Sequence, residues 1–405
     1  MSDAAQQLDQ PQNTYGEVQK LLCAQFLTAL ADNAILFVAV AMVMQGALQG
    51  DWYVSALQGC FLVAFVVLAP WVGVFADTRS KPQVLMLANL LKALGAGLML
   101  WGVQPLFAYA IVGMGAAMYS PAKYGVLPEL VKGDDALMKA NGWVEGTTIV
   151  AILLGMVLGA AIADKSIYAA LICVLVIYLI SAWVAKWMHA LPAAHDKKGV
   201  DDGIWTSFKS TIMTLLQSPR ARFSTLGVSL FWAAAVILRL VIIAWAPVVL
   251  LLSTSTQISL LTLFIALGIA VGALLAPRLI PMLYLSRARL AAYGLGISVL
   301  CLTFVTDVWV ARFVLFVAGV CGGLFVVPIN SVLQDIGHRS VGSGHAVAVQ
   351  HFFENIAMLT VTLVYTWAIA SGVEAVSIMW VLGITVLLFT LIIARFLPPV
   401  SSRQL

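Results

Sequence analysis

The sequence predicts an all-α membrane protein with twelve transmembrane helices in two pseudo-symmetric six-helix halves. Three observations predict this fold class: a composition too apolar for a soluble domain, twelve long apolar runs, and a second half that repeats features of the first. Of the 405 residues, 62% are hydrophobic and 10% are charged, and the mean hydropathy is +1.00. Soluble proteins carry about 25% charged residues, so the soluble classes of protein are excluded.

The apolar runs are long enough to cross a bilayer, because a span needs about 20 residues at a rise of about 1.5 Å each. The twelve runs lie at residues 18–45, 52–76, 83–103, 105–127, 143–163, 167–188, 222–252, 257–280, 289–306, 309–333, 344–371 and 375–397. The first sixteen residues are polar and lack the pattern of a signal peptide. We therefore expect the spans themselves to direct insertion.

Positive charge predicts the orientation of these spans, since Lys and Arg concentrate in cytoplasmic loops. If both termini are cytoplasmic, seventeen of the 22 Lys and Arg residues lie inside and only Lys165 and Arg312 lie outside. The remaining three, Lys92, Lys123 and Arg239, lie within spans. The opposite orientation would reverse this strong bias, so we expect cytoplasmic termini.

The charge and hydropathy pattern also predicts the domain boundaries. We expect a polar tail at 1–16, an N-terminal half at 17–189, a cytoplasmic linker at 190–221, a C-terminal half at 222–397 and a second tail at 398–405. Residues 204–217 of the linker place Trp205, Phe208, Ile212 and Leu215 at helical spacing. This pattern fits both a helix on the membrane surface and a helix packed under the bundle.

The two halves share features at a constant offset of 207 residues. This offset relates Asp32 to Arg239, Gly115 to Gly322, Pro121 to Pro328 and Lys123 to Asn330. A proline inside a helix frees the carbonyl four residues back and bends the helix. Interruptions at corresponding places in two halves point toward the binding site of a transporter.

Six ionisable residues lie inside or at the ends of spans, three of each sign. They are Asp32, Glu145, Glu354, Lys92, Lys123 and Arg239. An Asp at the bilayer centre costs about 2.5–3.5 kcal/mol, so such groups are kept where they face a partner or a polar cavity. We expect them to line one transport pathway between the halves. The alternative is a set of structural ion pairs, and for Lys92 a packing ion pair is the favoured interpretation.

Polar neighbours share helix faces with these charges. Gln25, Thr28 and Asp32 lie on one face of the first span, and Gln350 and Glu354 lie one turn apart in the eleventh. The expected substrate-binding residues are Asp32, Asn33, Lys123, Glu145, Arg239, Gln350, Glu354 and Asn355. A central polar site of this kind is typical of a transporter.

Motifs for covalent or nucleotide chemistry are missing from the sequence. It contains no phosphate-binding G-x-x-x-x-G-K-[ST] loop and no nucleophile elbow. His351 and Glu354 have the spacing of a metal-binding pair, but no third ligand has suitable spacing. The five cysteines lie in apolar runs without C-x-x-C spacing and are interpreted as small core residues. We expect no enzyme activity, no cofactor, no metal and no nucleic-acid partner.

The loop between the second and third spans carries a recognisable signature. Its sequence, Gly-Val-Phe-Ala-Asp-Thr-Arg-Ser-Lys at 73–81, resembles the G-x-x-x-D-x-x-G-R-K motif of the major facilitator superfamily. Gly73 and Asp77 match the motif, whereas Ser80 and Lys81 replace its usual Gly and Arg. The resemblance implies the twelve-helix fold of that superfamily. Gating or conformational roles are expected for Gly73, Asp77, Lys81, Pro121 and Pro328.

Longer stretches resemble the bacterial lysophospholipid transporter family of this superfamily. They lie at 24–37, 115–127, 139–155 and 346–359, together with 229–232 and Arg239. The resemblance implies facilitated inward movement of lysophospholipids, chiefly 2-acyl-glycerophosphoethanolamine, across the bacterial inner membrane by alternating access. It also implies a functional partner: a separate acyltransferase with acyl-carrier-protein synthetase activity, which reacylates the lipid on the cytoplasmic side.

The charged residues suit a zwitterionic head group. We expect Arg239 and Lys123 to bind the phosphate and Asp32 and Glu354 to bind the ammonium, with help from Asn33, Gln350 and Asn355. The acyl chain would lie in an apolar cleft or among membrane lipids. The alternatives are a proton-coupled exporter of amphipathic drugs, a carrier of a small organic anion, and a membrane scaffold for the acyltransferase that transports nothing.

Overall fold

The computed structural model is helical throughout the residues that it describes, which are 11–45, 51–189, 203–252, 255–395 and 397. This part of the chain contains thirteen α-helices, which we number α1 to α13, and one 3₁₀ helix at Met282–Arg287. The α-helices are α1 (Pro11–Gln45), α2 (Asp51–Asp77), α3 (Lys81–Leu100), α4 (Pro105–Leu130), α5 (Asp134–Lys165), α6 (Ile167–Lys186), α7 (Ile204–Gln217), α8 (Pro219–Val249), α9 (Ser255–Leu279), α10 (Ala288–Leu302), α11 (Val308–Arg339), α12 (Ser343–Ala370) and α13 (Ala375–Ala394).

The predicted all-α membrane fold is confirmed, with α1–α6 and α8–α13 at the twelve predicted spans. Among the described residues, eleven of these helices are long and apolar enough to cross a bilayer, with α10 counted together with the 3₁₀ helix before it. The twelfth, α4, contains Ser120, Lys123 and two internal prolines and is not among these eleven. Most of its residues are buried by protein, so it needs less apolar surface than a lipid-facing helix does.

Several helices extend beyond the apolar runs that predicted them. Helix α5 begins at Asp134, nine residues before its apolar run, and α11 continues to Arg339. Asp134 and Asp135 lie in the first turn of α5, and Arg339 lies in the last turn of α11, so their charges favour the local helix dipole. Hydropathy alone cannot detect such polar helix ends, because it reports only the membrane-buried part.

Helix α7 packs against protein through one side. Phe208, Thr211 and Leu215 are buried and follow helical spacing, whereas Trp205 is exposed. The Phe208 ring meets the Phe352 ring edge to face at 5.4 Å. Of the two alternatives left by the sequence, this geometry supports a packed helix.

The described chain divides into two compact units. Unit 1 comprises Met1–Gly133, Val150–Met213 and Gln334–Phe352, and unit 2 comprises Asp134–Ile149, Thr214–Leu333 and Phe353–Leu405. Helices α5, α7, α11 and α12 therefore each contribute residues to both units. The first ten residues of the predicted N-terminal tail, residues 190–202 of the predicted linker and the tail at 398–405 lie outside the described residues. The predicted domain boundaries stay a prediction.

Buried polar side chains connect three helices inside unit 1. The Thr28 hydroxyl donates to Asn89 Oδ1 at 2.9 Å, Asn89 Nδ2 donates to Ser181 Oγ at 3.0 Å, and Ser181 Oγ donates to the Ala24 carbonyl at 2.8 Å. These bonds join α1, α3 and α6 in a layer where water cannot replace them. Satisfied polar groups of this kind specify one register of packing.

Glycines allow close helix packing inside unit 2. A Cβ added at Gly272 of α9 or Gly319 of α11 would overlap the backbone of the other helix. Helix α8 packs against α9 and α13, and α13 packs against α10. Without a hydrophobic force between helices in lipid, this backbone proximity supplies the van der Waals contact that holds them together.

Candidate functional site

A fully buried carboxylate at the end of α2 binds the first turn of α12 within unit 1. Asp77 accepts hydrogen bonds from the backbone N–H groups of Gly344 and His345, each at 2.8 Å. Its Oδ2 atom also lies 2.6 Å from His345 Nδ1. The first N–H groups of a helix have no partner inside the helix, and the dipole favours an anion there. Asp77 therefore caps α12 from another helix.

Small residues allow α2 and the start of α12 to approach closely enough for this contact. A Cβ added at Gly73 would lie 3.0 Å from His345 Cα, and one at Gly344 would lie 2.7 Å from Asp77 Oδ1. Gly342, just before α12, has a φ of 98°, which L side chains rarely adopt. The glycines at 342 and 344 therefore leave the space that α2 needs in order to contact this turn.

Lys81 completes the cluster around Asp77. Its side chain is 1% exposed, forms an ion pair with Asp77, and donates to the Ala76 carbonyl at 2.8 Å. Glu129 Oε1 of α4 lies 3.8 Å from Lys81 Nζ. The structure therefore brings together Gly73, Asp77 and Lys81. Sequence reasoning missed Glu129 and His345 as members, although the glycine-rich turn before His345 marks a close approach.

A second contact between α12 and its neighbours lies farther along the helix. Ser120 Oγ of α4 and His351 Nε2 of α12 are 2.6 Å apart. The His351 ring meets the Phe65 ring at 5.6 Å and the Tyr124 ring at 6.2 Å, measured between centroids. Closer to the start of α12, Ser343 Oγ donates to the Gly125 carbonyl at 3.1 Å. Helix α4 therefore holds α12 at two levels.

Asp32 of α1 has partners on two other helices of unit 1. Lys92 Nζ donates to its Oδ2 atom and Tyr178 Oη donates to its Oδ1 atom, both at 2.8 Å. Lys92 Nζ also lies 4.8 Å from the Tyr119 ring centroid, a cation–π distance. The Lys92 side chain is 1% exposed and that of Asp32 is 20% exposed. The charge of Asp32 is thus balanced inside unit 1, as the interpretation of Lys92 as a packing ion pair requires.

Other predicted residues of unit 1 lie near these contacts. Lys123 is buried, with Nζ 3.9 Å from the Tyr124 ring centroid, and Pro121 is buried inside the continuous helix α4. Asn33 Nδ2 donates to the Ala29 carbonyl of its own helix at 2.8 Å. Gln350, one residue before His351, is also buried.

The remaining predicted residues belong to unit 2. Asn330 Nδ2 of α11 lies 3.4 Å from Glu145 Oε1 of α5, so the residue at the repeat position of Lys123 contacts a predicted site residue. Glu354 and Asn355 are buried neighbours in α12, and Pro328 is buried inside α11. Arg239 is exposed on α8. Tyr365 of α12 donates to the Leu240 carbonyl at 3.2 Å, next to Arg239 in the chain.

The predicted residues therefore form separate groups within each unit. Unit 1 contains the Asp32 pair, the Asp77 cluster and the group around His351, whereas unit 2 contains Glu145 with Asn330 and the pair Glu354 and Asn355. Convergence of Asp32, Arg239 and Glu354 on one pathway stays a prediction. Within the described residues, no group of three or more His, Cys, Asp and Glu side chains could hold a metal ion.

Comparisons with known proteins find relatives by sequence and by fold. A family model described as Major Facilitator Superfamily matches residues 21–359. A lysophospholipid transporter of Klebsiella pneumoniae is 42% identical over 359 residues, covering 88% of this chain and 90% of that protein. A lysophospholipid transporter of Photorhabdus laumondii is 39% identical over 369 residues, covering 91% and 92%.

Solved structures show the same fold at low sequence identity. The fucose:proton symporter of E. coli matches with a TM-score of 0.73 and 14% identity, covering 93% of this chain and 97% of that one. The human organic anion transporter MFSD10 also matches with a TM-score of 0.73, at 15% identity, covering 95% and 100%. At such identity, the likeness concerns the fold and carries no information about the substrate.

Proposed function

Because the chain belongs to the bacterial lysophospholipid transporter family of the major facilitator superfamily, we propose that it moves lysophospholipids across a membrane. The observation that carries this proposal is the 42% identity to a lysophospholipid transporter over 88% of the chain. The described residues include cations, carboxylates and amides within apolar helices. Such groups can bind a charged head group without covalent chemistry.

The head group of a lysophosphatidylethanolamine needs a cation for its phosphate and a carboxylate for its ammonium. In our proposal Arg239 and Lys123 bind the phosphate, and Asp32 and Glu354 bind the ammonium. Asn33, Glu145, Gln350 and Asn355 supply further polar contacts. The 20% exposure of the Asp32 side chain supports this role, because the residue stays partly accessible while Lys92 balances its charge.

The proposal includes a direction and a location. The transporter carries 2-acyl-glycerophosphoethanolamine and related lipids inward across the bacterial inner membrane by alternating access, with both termini cytoplasmic. A separate acyltransferase with acyl-carrier-protein synthetase activity then reacylates the lipid. The bias of Lys and Arg toward one set of loops supports the orientation.

A flipping assay tests the proposal directly. Purified protein in liposomes should move fluorescent lysophosphatidylethanolamine between leaflets, and Arg239→Ala should slow this movement. Hydrogen bonds to charged groups contribute about 1.5–3 kcal/mol, so we expect roughly a tenfold to hundredfold loss. Arg312→Ala is a matched control, because Arg312 is a cation of α11 that lies against Trp309 and Phe264. Its flipping rate should stay within about twofold of wild type.

The alternatives give different outcomes in the same assay. A wild-type rate in folded Arg239→Ala would overturn the phosphate assignment. A proton-coupled exporter would stop when the proton gradient is dissipated, whereas facilitated flipping should continue. Pure protein that moves no lysophospholipid would overturn the proposed function and favour a scaffold for the acyltransferase.

A further inference from the structure

The first three turns of α12 are attached to α2 and α4 by two groups of contacts inside unit 1. The outer group is the Asp77 cluster together with the bond from Ser343 to the Gly125 carbonyl. The inner group is the hydrogen bond between Ser120 and His351. His351 lies six residues after His345, nearly two helical turns deeper along α12.

The surroundings of His351 are those of an anion-binding site. Ser120 and Lys123 lie three residues apart on α4 and so share one helix face. Lys123 Nζ lies 3.9 Å from the Tyr124 ring centroid, and the His351 ring contacts the same Tyr124 ring. An imidazole and an ammonium group thus lie against one aromatic ring, the Ser120 hydroxyl bonds to that imidazole, and His351 is partly exposed.

Resting on the proposed function, we propose that His351 is a further head-group contact that couples lipid binding to the attachment of α12 to α4. In the structure, Ser120 holds the imidazole. When the lipid phosphate binds Lys123, the phosphate oxygens accept hydrogen bonds from His351 and from the Ser120 hydroxyl. These two bonds replace the bond between the two side chains. The direct bond between α12 and α4 is then replaced by a bridge through the phosphate, which joins His351 of α12 to Ser120 and Lys123 of α4.

This exchange is chemically balanced because no covalent bond changes. One hydrogen bond between two protein groups is replaced by two charge-assisted bonds to phosphate, which are the stronger kind. The lipid therefore binds more tightly to the arrangement in which α12 lies against α4 than to one in which the two helices have separated. Such differential affinity is what a ligand needs in order to shift a conformational equilibrium. A purely structural bond between Ser120 and His351 would give the lipid no such effect.

Two measurements on reconstituted protein test the proposal. The first is the half-saturating concentration of lysophosphatidylethanolamine in the flipping assay. His351→Ala should raise it about tenfold, the loss expected for one hydrogen bond to a charged group. His351→Gln retains an N–H donor and should recover most of the affinity. Thermal unfolding in detergent checks that each variant is folded.

The second measurement is hydrogen–deuterium exchange of the peptide at 343–352. In the wild type, adding lysophosphatidylethanolamine should slow exchange there, because the phosphate bridge adds bonds between α12 and α4. Ser120→Ala should speed exchange without lipid, and His351→Ala should remove the response to lipid. Ser340→Ala is the matched control, because its hydroxyl bonds only to the Ile336 carbonyl of its own helix in the described contacts. It should behave as the wild type does.

The outcomes separate this proposal from the proposed function. If the wild type flips the lipid but folded His351→Ala has an unchanged half-saturating concentration and lipid response, the role of His351 is wrong and the transport function stands. If affinity falls but exchange of 343–352 never responds to lipid, the coupling to α12 is wrong. If the wild type flips no lysophospholipid, both proposals are wrong.

Discussion

Asp32 and Asp77 are two carboxylates of unit 1 whose negative charges are balanced by different kinds of partner. Asp77 is fully buried, and most of its donors are backbone and side-chain N–H groups at the start of α12. Asp32 is 20% exposed and is bound by two side chains, Lys92 and Tyr178. Both have a buried lysine as counter-ion.

The difference predicts a mechanical role for Asp77 and a binding role for Asp32. The partners of Asp77 belong to the end of a helix, so this carboxylate can only be released if α12 moves. The partners of Asp32 are side chains within the bundle, and its remaining exposed face could accept a ligand without any helix movement. The role of a carboxylate in an apolar protein is therefore inferred from its partners and its exposure. The presence of the carboxylate alone does not distinguish the two roles.

The largest expected effect is that of Asp77→Asn. This change removes the charge that balances Lys81 and the start of α12, and breaking a buried pair costs about 3–5 kcal/mol. We expect a strongly reduced flipping rate and faster hydrogen exchange at 343–348. Asp335→Asn is the matched control, because Asp335 pairs with Arg339, which is 70% exposed. Such a pair contributes at most about 1 kcal/mol, so equal effects of the two variants would contradict the assigned role.

A double-mutant cycle on Asp32 and Lys92 should give an intermediate effect. Lys92→Met leaves the carboxylate without its cation and should lower the unfolding free energy by about 2–3 kcal/mol, less than at Asp77 because Asp32 is partly exposed. Asp32→Asn combined with Lys92→Met should recover most of this stability, since no lone charge remains. Thermal unfolding in detergent measures it.

Transport by the double variant sharpens the comparison between the two carboxylates. If Asp32 binds the lipid ammonium, the double variant should be stable yet slow in flipping lysophosphatidylethanolamine. Wild-type flipping by this variant would make Asp32 and Lys92 a structural pair only, as the alternative interpretation of the sequence has it.

The smallest expected effect concerns the space around Lys92. A Cβ added at Gly115 of α4 would lie 2.6 Å from Lys92 Cγ and 2.8 Å from the Ala88 carbonyl oxygen. Gly115→Ala should therefore lower stability by about 1–3 kcal/mol through overpacking. Gly97→Ala is the control on α3, because nothing lies within 4 Å of its added Cβ. Equal melting temperatures of the two variants would show that Lys92 adjusts freely.

Residues of the Asp77 cluster show how much of the site sequence could predict. Gly73, Asp77 and Lys81 lie within nine residues of one another, so a local motif identified them together. His345 lies 268 residues from Asp77 and joins the cluster only through packing of α12 on α2. Likewise, the spacing of Ser120 and His351 gives no sign of their contact, because it depends on the rotation of two helices about their axes.

The sequence by itself determined the class of fold, the positions of the spans and the presence of charges within them. It could do so because the bilayer requires about 20 apolar residues per helix and internal hydrogen bonds for every backbone group, and both demands are local. Tertiary structure alone decided that Lys92 and Tyr178 bind Asp32, and that His345 binds Asp77. These pairings arise from close packing between helices distant in the chain, which no local pattern encodes.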